Sequence, residues 1–463
     1  MLSVHQSDLS FAVNQTLVII LAGGQGNRLH ELTDSRAKPC LEFGASYKLI
    51  DFPLSNCINA GLKRIGVATQ YKSHSLLRHL VNQSQHFNQN IGEFLDLLPA
   101  SQQISSDWYQ GTADALYQNI AFIKSVDPRY VLVLSGDHVY KMDYRNMLQQ
   151  HVQRKSDMTV SCIEVPIEQA RGQFGVMHVD NDERIVSFEE KPLFPEPLVD
   201  KPNCVLASMG NYIFNTKFLL DNLEHDAANV DSQHDFGKDI IPKLIAQSKL
   251  HAFRFRGENN TIPYWRDVGT LDNYWRANMD LLDTDPAIIM PESYWPISTA
   301  PQSLSPTQFT SDDSHGSLIK KSQIASGCQL DSCSIDHSLV FEQVSLRSGA
   351  KINDSMLLPH TTIGENCRIN KAIVDAQTSV PANTVIGENK ENDKRNGFRV
   401  TEQGVTLVTQ KALDELLIRA NKPKASNKKW EACVCAFPNN VIQSPTFSQL
   451  SKSISMPKRK AIE

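Results

Sequence analysis

The chain has 463 residues, too many for one ordinary core, so two domains and a tail are expected. Its 41% apolar and 21% charged residues predict a soluble globular protein, and its formal net charge of −5 gives no basis for nucleic-acid binding. No apolar run approaches the ~20 residues that a membrane span needs, and the polar start Met1–Asn14 lacks a signal-peptide core.

The nine cysteines are an odd number and are scattered. Cys433 and Cys435 form the one close pair, and no second pair completes a zinc site, so reduced thiols in a cytoplasmic protein are expected.

The first predicted element is the apolar run Leu17–Ala22, which suits a buried strand. It stops at Gly23, Gly24, Gln25 and Gly26, with Arg28 close behind. Glycines in such a turn let backbone N–H groups approach an anion, and an arginine adds a two-pronged grip on phosphate. Arg36-Ala37-Lys38-Pro39 brings further cations, so the opening of the chain reads as a polyphosphate cradle. Gly-Gly-x-Gly also occurs at ordinary strand-to-helix turns. The loop matches neither the dinucleotide fingerprint nor the Gly-Lys-Ser/Thr ending of a P-loop.

Further strands are expected at Arg64–Thr69, Tyr130–Ser135, Thr159–Val165 and Gly210–Phe214, with helices at Asp114–Val126 and Tyr144–Arg154 between them. This alternation predicts a mostly parallel sheet covered by helices, with ligands bound beyond the carboxyl ends of the strands. Asp137 follows the run Tyr130–Ser135 and should project from such an end. Asp267 sits in Tyr264-Trp265-Arg266-Asp267, and the two carboxylates are candidates to share one Mg²⁺. A lone Asp equally serves as a turn or helix cap. Lys191, in Glu190-Lys191-Pro192, is a candidate phosphate-binding point charge or a solvated surface lysine. Thr112 and Asp114, in the turn Tyr109–Asp114, are candidate helix caps, and His138 and His234 lack ligand spacing.

Residues 291–316 are rich in Pro, Ser and Thr and read as a linker. A repeat follows. Val340, Leu346 and Ile352 are six apart, as are Leu357, Ile363 and Ile369, and Val374, Val380 and Ile386, and each triplet begins 17 residues after the last. Ile324 and Leu330 suggest an earlier coil. A six-residue aliphatic step predicts a parallel β-helix whose three sides each point one side chain inward. Residues 421–463 carry eight Lys/Arg against two Asp/Glu, a net of +6, and are expected to be a disordered basic tail in which Trp430 and Phe437 have no evident role.

Taken together, the chain resembles the bacterial glucose-1-phosphate adenylyltransferases from about Leu17 to Thr409. The resemblance is carried by Leu-Ala-Gly-Gly-Gln-Gly-Asn-Arg-Leu (21–29), Arg-Ala-Lys-Pro (36–39), Ile-Asp-Phe-Pro-Leu-Ser-Asn-Cys-Ile-Asn (50–59) and Trp-Tyr-Gln-Gly-Thr-Ala-Asp-Ala (108–115). Ser-Gly-Asp-His-Val-Tyr (135–140), Glu-Glu-Lys-Pro (189–192), Ala-Ser-Met-Gly (207–210), His-Asp-Phe-Gly-Lys-Asp (234–239) and Tyr-Trp-Arg-Asp-Val-Gly-Thr (264–270) extend it. The glycine loop and Glu-Lys-Pro are common to sugar nucleotidyltransferases. The 108–115, 234–239 and 264–270 pieces are more specific.

The resemblance implies a Rossmann-like nucleotidyltransferase domain over 1–290, a linker over 291–316 and a left-handed β-helix over 317–420. It implies the reaction of ATP with glucose 1-phosphate to give ADP-glucose and diphosphate, toward glycogen. Arg28, Lys38 and Asp137 would be catalytic, with Asp137 and Asp267 on Mg²⁺. Gly23, Gly24, Gly26, Gln70, Gly111 and Asp114 would bind the nucleotide, and Tyr109, Gly175, Glu190, Lys191 and Ser208 the glucose 1-phosphate. A cytoplasmic homotetramer regulated by sugar phosphates and AMP-like inhibitors is also implied.

At three positions where the family binds its activator with basic residues, this chain has Ser35, Glu42 and Lys48. Weak or altered activation by fructose 1,6-bisphosphate is therefore expected. Rival readings are a nucleotidyltransferase using UTP or dTTP, an inactive regulatory subunit, and an acyltransferase drawing on His337 or His360. Arg28, Lys38 and Asp137 argue against the second, and the third lacks a catalytic setting around its histidines.

Overall fold

Val18, Ile19 and Ile20 are buried on both faces, as a strand covered by helices on each side must be. In the computed structural model, which describes residues 2–100, 108–257, 261–283, 288, 293–310 and 316–421, this run is strand β1 (Thr16–Ala22), an interior strand of a nine-stranded sheet. The others are β2 (Arg64–Thr69), β3 (Phe94–Pro99), β4 (Tyr130–Ser135), β5 (Met158–Pro166), β6 (Val176–Val179), β7 (Ile185–Glu189), β8 (Cys204–Asn215) and β9 (Leu250–Arg254). One half, β3-β2-β1-β4, is parallel throughout. The long β8 then pairs antiparallel with β4, β5 and β6, and β9 lies parallel to β5. The carboxyl ends of β1, β2 and β4 thus fall side by side, with Ala22 opposite Thr69 and Leu21 opposite Ser135.

The helix expected over Asp114–Val126 is broken. It runs Thr112–Tyr117 and resumes at Ile120–Val126. Asn119 takes a non-helical conformation, and its side-chain amide donates to the Ala115 carbonyl (2.7 Å) and the Tyr109 hydroxyl (2.9 Å). A short amide side chain competing with the backbone ladder is the cause. The polar start forms a helix, Leu2–Asn14, whose Ala12 reaches the core. Among the described residues no helix is long and apolar enough to cross a membrane.

The six-residue repeat closes into three sheets of five, five and six strands, parallel throughout except that the edge strand Arg399–Val400 runs antiparallel to Thr406–Val408. Val340 stacks on Leu357 and that on Val374, Leu346 on Ile363 and Val380, and Ile352 on Ile369 and Ile386. Ile324 and Leu330 lead into the same stacks. Each corner is turned by a residue at positive φ: His337, Asp354 and Lys371 along one edge, Gln343, His360 and Gln377 along the next, and Ser332, Asn366 and Asn383 along the third. Backbone N–H groups at these corners donate to the coil before, as His360 does to Glu342 (3.0 Å). The unfavourable left-handed residues are thereby held in hydrogen-bonded ladders.

The segment joining the sheet to the coils is anchored rather than loose. The Trp295 indole N–H donates to Asn56 (2.8 Å), and the Ser298 N–H to Ser55 (2.8 Å). Gln308–Thr310 then pairs with the strand Gln329–Asp331. Residues 1–419 form one compact unit. The tail from residue 422, with Trp430 and Phe437, lies outside the described residues.

His151 gives this fold a pH dependence. It is buried under the sheet on the helix Tyr144–Arg154, with Nδ1 2.8 Å from the Thr159 hydroxyl, and burial lowers its pKa from 6.5 to about 4. Because the folded value is depressed, its share of stability is complete above 6.5 and is lost as pH falls toward 4. His151→Gln is expected to flatten the unfolding free energy against pH across that window, by on the order of 3 kcal/mol in total.

Candidate functional site

Beyond the carboxyl ends of β1, β2 and β4 lies a cavity of about 450 Å³ lined by Gly23, Gly24, Gln70, Tyr109, Gly111 and Asp137, together with Thr112, Ser135, Tyr212 and Asp235. Each wall has a local cause. Gly23 abuts Gln70, where an added Cβ would sit 3.3 Å from the Gln70 Cβ, and Gly26 takes φ +67°. Gln70 clips the backbone of Tyr109, accepting from its N–H (2.9 Å) and donating to its carbonyl (3.4 Å). The Tyr109 ring is half-buried, and its hydroxyl donates to the Leu98 carbonyl (3.3 Å).

The segments 108–115 and 234–239 interlock at the back of the cavity. A Cβ on Gly111 would overlap the His234 carbonyl, which accepts from the Ala113 N–H at 2.8 Å. The Thr112 hydroxyl donates to Asp235 (3.2 Å) and accepts from the Phe236 N–H (3.0 Å), so Thr112 ties two segments together instead of capping its own helix. Asp114 does take a local role: its carboxylate accepts from the Gln110 N–H and the Gln118 amide, both at 2.8 Å, away from the cavity wall.

The charged centre adjoins the cavity through Asp137, one of its lining residues. A two-stranded ribbon pairs His138–Tyr140 with Trp265–Asp267, placing Asp267 opposite His138 and hence beside Asp137. Lys38 is buried between the two carboxylates, 2.6 Å from Asp137 and 3.4 Å from Asp267. Burial pushes the Lys38 ammonium down, but the two carboxylates outweigh it and raise its pKa. Burial likewise pushes Asp137 up, but the Lys38 charge and the Ser135 hydroxyl, which donates at 2.5 Å, hold it well below the ordinary carboxylate range.

Arg28 lies to one side, its guanidinium donating to Gln173 at 2.7 Å. It meets Asp267 across Gly269, where a Cβ would stand 2.8 Å from Arg28 Nη2 and 2.9 Å from Asp267 Oδ2.

A second group forms around Glu190, which pairs with Lys191 (2.8 Å) and presses against Gly175 and Gly237 so closely that a Cβ on either would collide with its carboxylate. Lys191 is at φ 51°, with its side chain half-exposed. Ser208 accepts from the Gly210 N–H (3.2 Å) at a bulge in β8, and its own N–H donates to Gly175 (2.8 Å). Gly237, next to Asp235, links this group to the cavity.

Ser135, Gln173, Tyr212 and Asp235 were not singled out from the sequence. Ser135 and Asp235 stood inside quoted motifs, whereas Gln173 carried no signal at all. Among the described residues no group of three or more His, Cys, Asp or Glu gathers as a metal cage. The pair Asp137 and Asp267 is instead a two-carboxylate hard-oxygen set, of the kind that suits Mg²⁺ completing its shell with water and phosphate.

A third group lies where the sheet meets the coils. Glu42 pairs with Lys48 (3.2 Å) and Arg36 (3.6 Å), and Arg36 also pairs with Asp375 (2.6 Å). Burial pushes the Glu42 carboxyl up, but the two cations pull it to about 2. A cavity of about 450 Å³ opens beside it, bordered by Ser35, Arg78, His360 and Gln377.

Residues 17–284 match the family described as Nucleotidyl transferase, and residues 305–408 match the GlmU-like C-terminal hexapeptide family. The chain is 50% identical over 418 residues to the glucose-1-phosphate adenylyltransferase of Teredinibacter turnerae, covering 90% of this chain and 99% of that protein. It is 51% identical over 407 residues to glucose-1-phosphate adenylyltransferase 2 of Pseudoalteromonas atlantica, and 50% over 407 residues to the glucose-1-phosphate adenylyltransferase of Shewanella oneidensis. These cover 88% of this chain and 97% of each relative.

The interlock is testable at its tightest point. Gly111→Ala is expected to cost about 1–3 kcal/mol by forcing the His234 turn outward, measured as a lower denaturation midpoint. Gly24→Ala, with no atom within 4 Å of the added Cβ, should leave that midpoint unchanged. Equal effects at the two positions would refute the interlock.

Proposed function

Because this chain belongs to the glucose-1-phosphate adenylyltransferase family, we propose that it transfers the adenylyl group of ATP to glucose 1-phosphate, giving ADP-glucose and diphosphate. The observation that carries this is Lys38 wedged between Asp267 and Asp137, the latter lining the glycine-walled cavity. Phosphoryl chemistry of this kind needs charge neutralisation and alignment more than covalent help.

The backbone of Gly23, Gly24 and Gly26 receives the phosphates. Gln70, Gly111 and the turn held by Asp114 frame the nucleoside. Tyr109, Gly175, Glu190, Lys191 and Ser208 hold the sugar phosphate, with Lys191 free to swing its ammonium onto the phosphate because its side chain is half-exposed.

A phosphate oxygen of glucose 1-phosphate forms a bond to the α-phosphorus of ATP as the bond to the β-phosphate bridging oxygen breaks. The electron pair leaves with diphosphate, and no covalent enzyme intermediate forms. Lys38 and Arg28 offset the charge of the departing group. Asp137 and Asp267 would hold Mg²⁺, which supplies further charge neutralisation when bound.

In this reading residues 1–290 are the catalytic domain, 291–316 the connection and 317–420 a left-handed β-helix. The protein works as a cytoplasmic homotetramer in glycogen synthesis, under effectors of the sugar-phosphate and AMP type. The Glu42 cluster bears on that regulation. A bisphosphate needs free cations, yet Arg36 and Lys48 are already paired with Glu42 and Asp375.

Two measurements test the proposal. Asp137→Asn is expected to lower the rate of diphosphate release from ATP and glucose 1-phosphate by about 10²–10³; an unchanged rate removes Asp137 from the mechanism, and a preference for UTP or dTTP overturns the nucleotide assignment. Fructose 1,6-bisphosphate is expected to activate weakly, with Glu42→Gln lowering the concentration needed by about tenfold as it releases Lys48, Arg36 staying paired with Asp375. Strong activation of the unaltered protein at micromolar concentration contradicts this part.

A further inference from the structure

We propose that Arg399, in the coil domain and remote from the reacting atoms, is a positioning residue for Arg28 and thereby for the nucleotide triphosphate. The inference rests on the adenylyl-transfer reading above, because it assigns Arg28 to the phosphates.

Arg28 and Glu31 share one short helical turn, Asn27–Thr33. That turn is poorly self-supporting. It is entered through Gly26 at φ 67° and interrupted at His30, whose φ of 53° and ψ of −130° are not helical. Its apolar side, Leu29 and Leu32, is buried in a cluster shared with Leu339, Phe341, Met356 and Leu407 of the coils. Its polar side is held by Arg399, whose Nε and Nη2 donate to the two oxygens of Glu31 at 2.8 and 2.7 Å. A planar fork on a carboxylate fixes orientation as well as distance. The hydrogen bonds from Arg399 keep Glu31 below the ordinary carboxylate range.

The same stretch of the coil domain also grips the other side of the site. The Thr401 hydroxyl donates to Asp272 (2.6 Å), and Gln403 accepts from Arg276 (2.8 Å), both on the helix Leu271–Met279 that follows Asp267. Residues 399–403 therefore tie down both chain segments whose side chains meet across Gly269, one bearing Arg28 and the other Asp267.

Arg399 and Glu31 are partly exposed, at 41% and 35% of their side chains. An exposed pair adds little to global stability, so positioning and folding can be separated by experiment. Initial rates of diphosphate release, with ATP and glucose 1-phosphate varied in turn, would be measured for the full chain. The series comprises the unaltered protein, Arg399→Ala, Arg399→Glu, the reversed pair Glu31→Arg with Arg399→Glu, and Arg28→Gln.

The expected result for Arg399→Ala and Arg399→Glu is an ATP KM raised about three- to tenfold, with the glucose 1-phosphate KM and the melting temperature nearly unchanged. The reversed pair should recover most of the ATP KM. An unchanged ATP KM in Arg399→Glu, equal rises in both KM values, or no recovery in the reversed pair overturns the inference. If Arg28→Gln cripples the reaction while Arg399→Glu does not, the bracing fails and the reading of Arg28 stands. If Arg28→Gln is itself silent, the reading of Arg28 fails and takes the inference with it.

Discussion

One buried ammonium organises the functional half of this protein. Lys38 sits between Asp137 and Asp267, and a charge taken out of water is tolerated only with partners in good geometry. Meeting that requirement forces three distant segments together: the Arg-Ala-Lys-Pro turn, the end of the central strand Tyr130–Ser135, and the ribbon strand Trp265–Asp267. Apolar residues of similar size would hold such a junction at least as well, since buried ion pairs seldom beat well-packed hydrocarbon. Stability alone therefore does not account for the charges, and chemistry does.

The rigidity that chemistry needs comes from packing on the side away from the cavity. Leu29, Leu32, Phe43, Val268, Leu271 and Tyr274 carry the functional loops on their polar sides and bury their apolar sides with Leu339, Phe341, Leu358 and Ile373 of the coils. The stacked corners make those coils hard to deform, because each left-handed residue is hydrogen-bonded to the turn of the coil before it. A loop pressed against such a surface loses little order when its polar face is rearranged around a ligand. The β-helix thus acts as a floor under the site as well as a separate folding element.

The legibility of the sequence followed the range of the interactions involved. Strands β2 and β4 were readable to the residue, because an apolar run bounded by polar turns is a local signal. The coil triplets were readable because a fixed spacing repeats. The break at Asn119 was missed because it depends on Tyr109, a partner outside the helix. The antiparallel pairings of β8 were likewise not marked, since a long apolar strand looks the same whichever way its neighbours run. At the site, the glycines, Lys38, Asp137 and Asp267 stood out by residue type and neighbourhood. Gln173 did not, because its importance lies only in reaching Arg28 across the fold. The pressure of Glu190 on Gly175 and Gly237 was hidden for the same reason.

The two charged groups near the amino-terminal turn differ in a way that separates their tasks. Around Lys38 a single ammonium is shared by two carboxylates beside an open cavity, with the Arg28 guanidinium further off across Gly269. Around Glu42 the charges pair off, with Arg36 and Lys48 against Glu42 and Asp375. An anion entering there must displace a carboxylate already in place, whereas a cation entering beside Asp137 meets two carboxylates that share one ammonium. The first group is poised to react to what binds, and the second is poised to resist it.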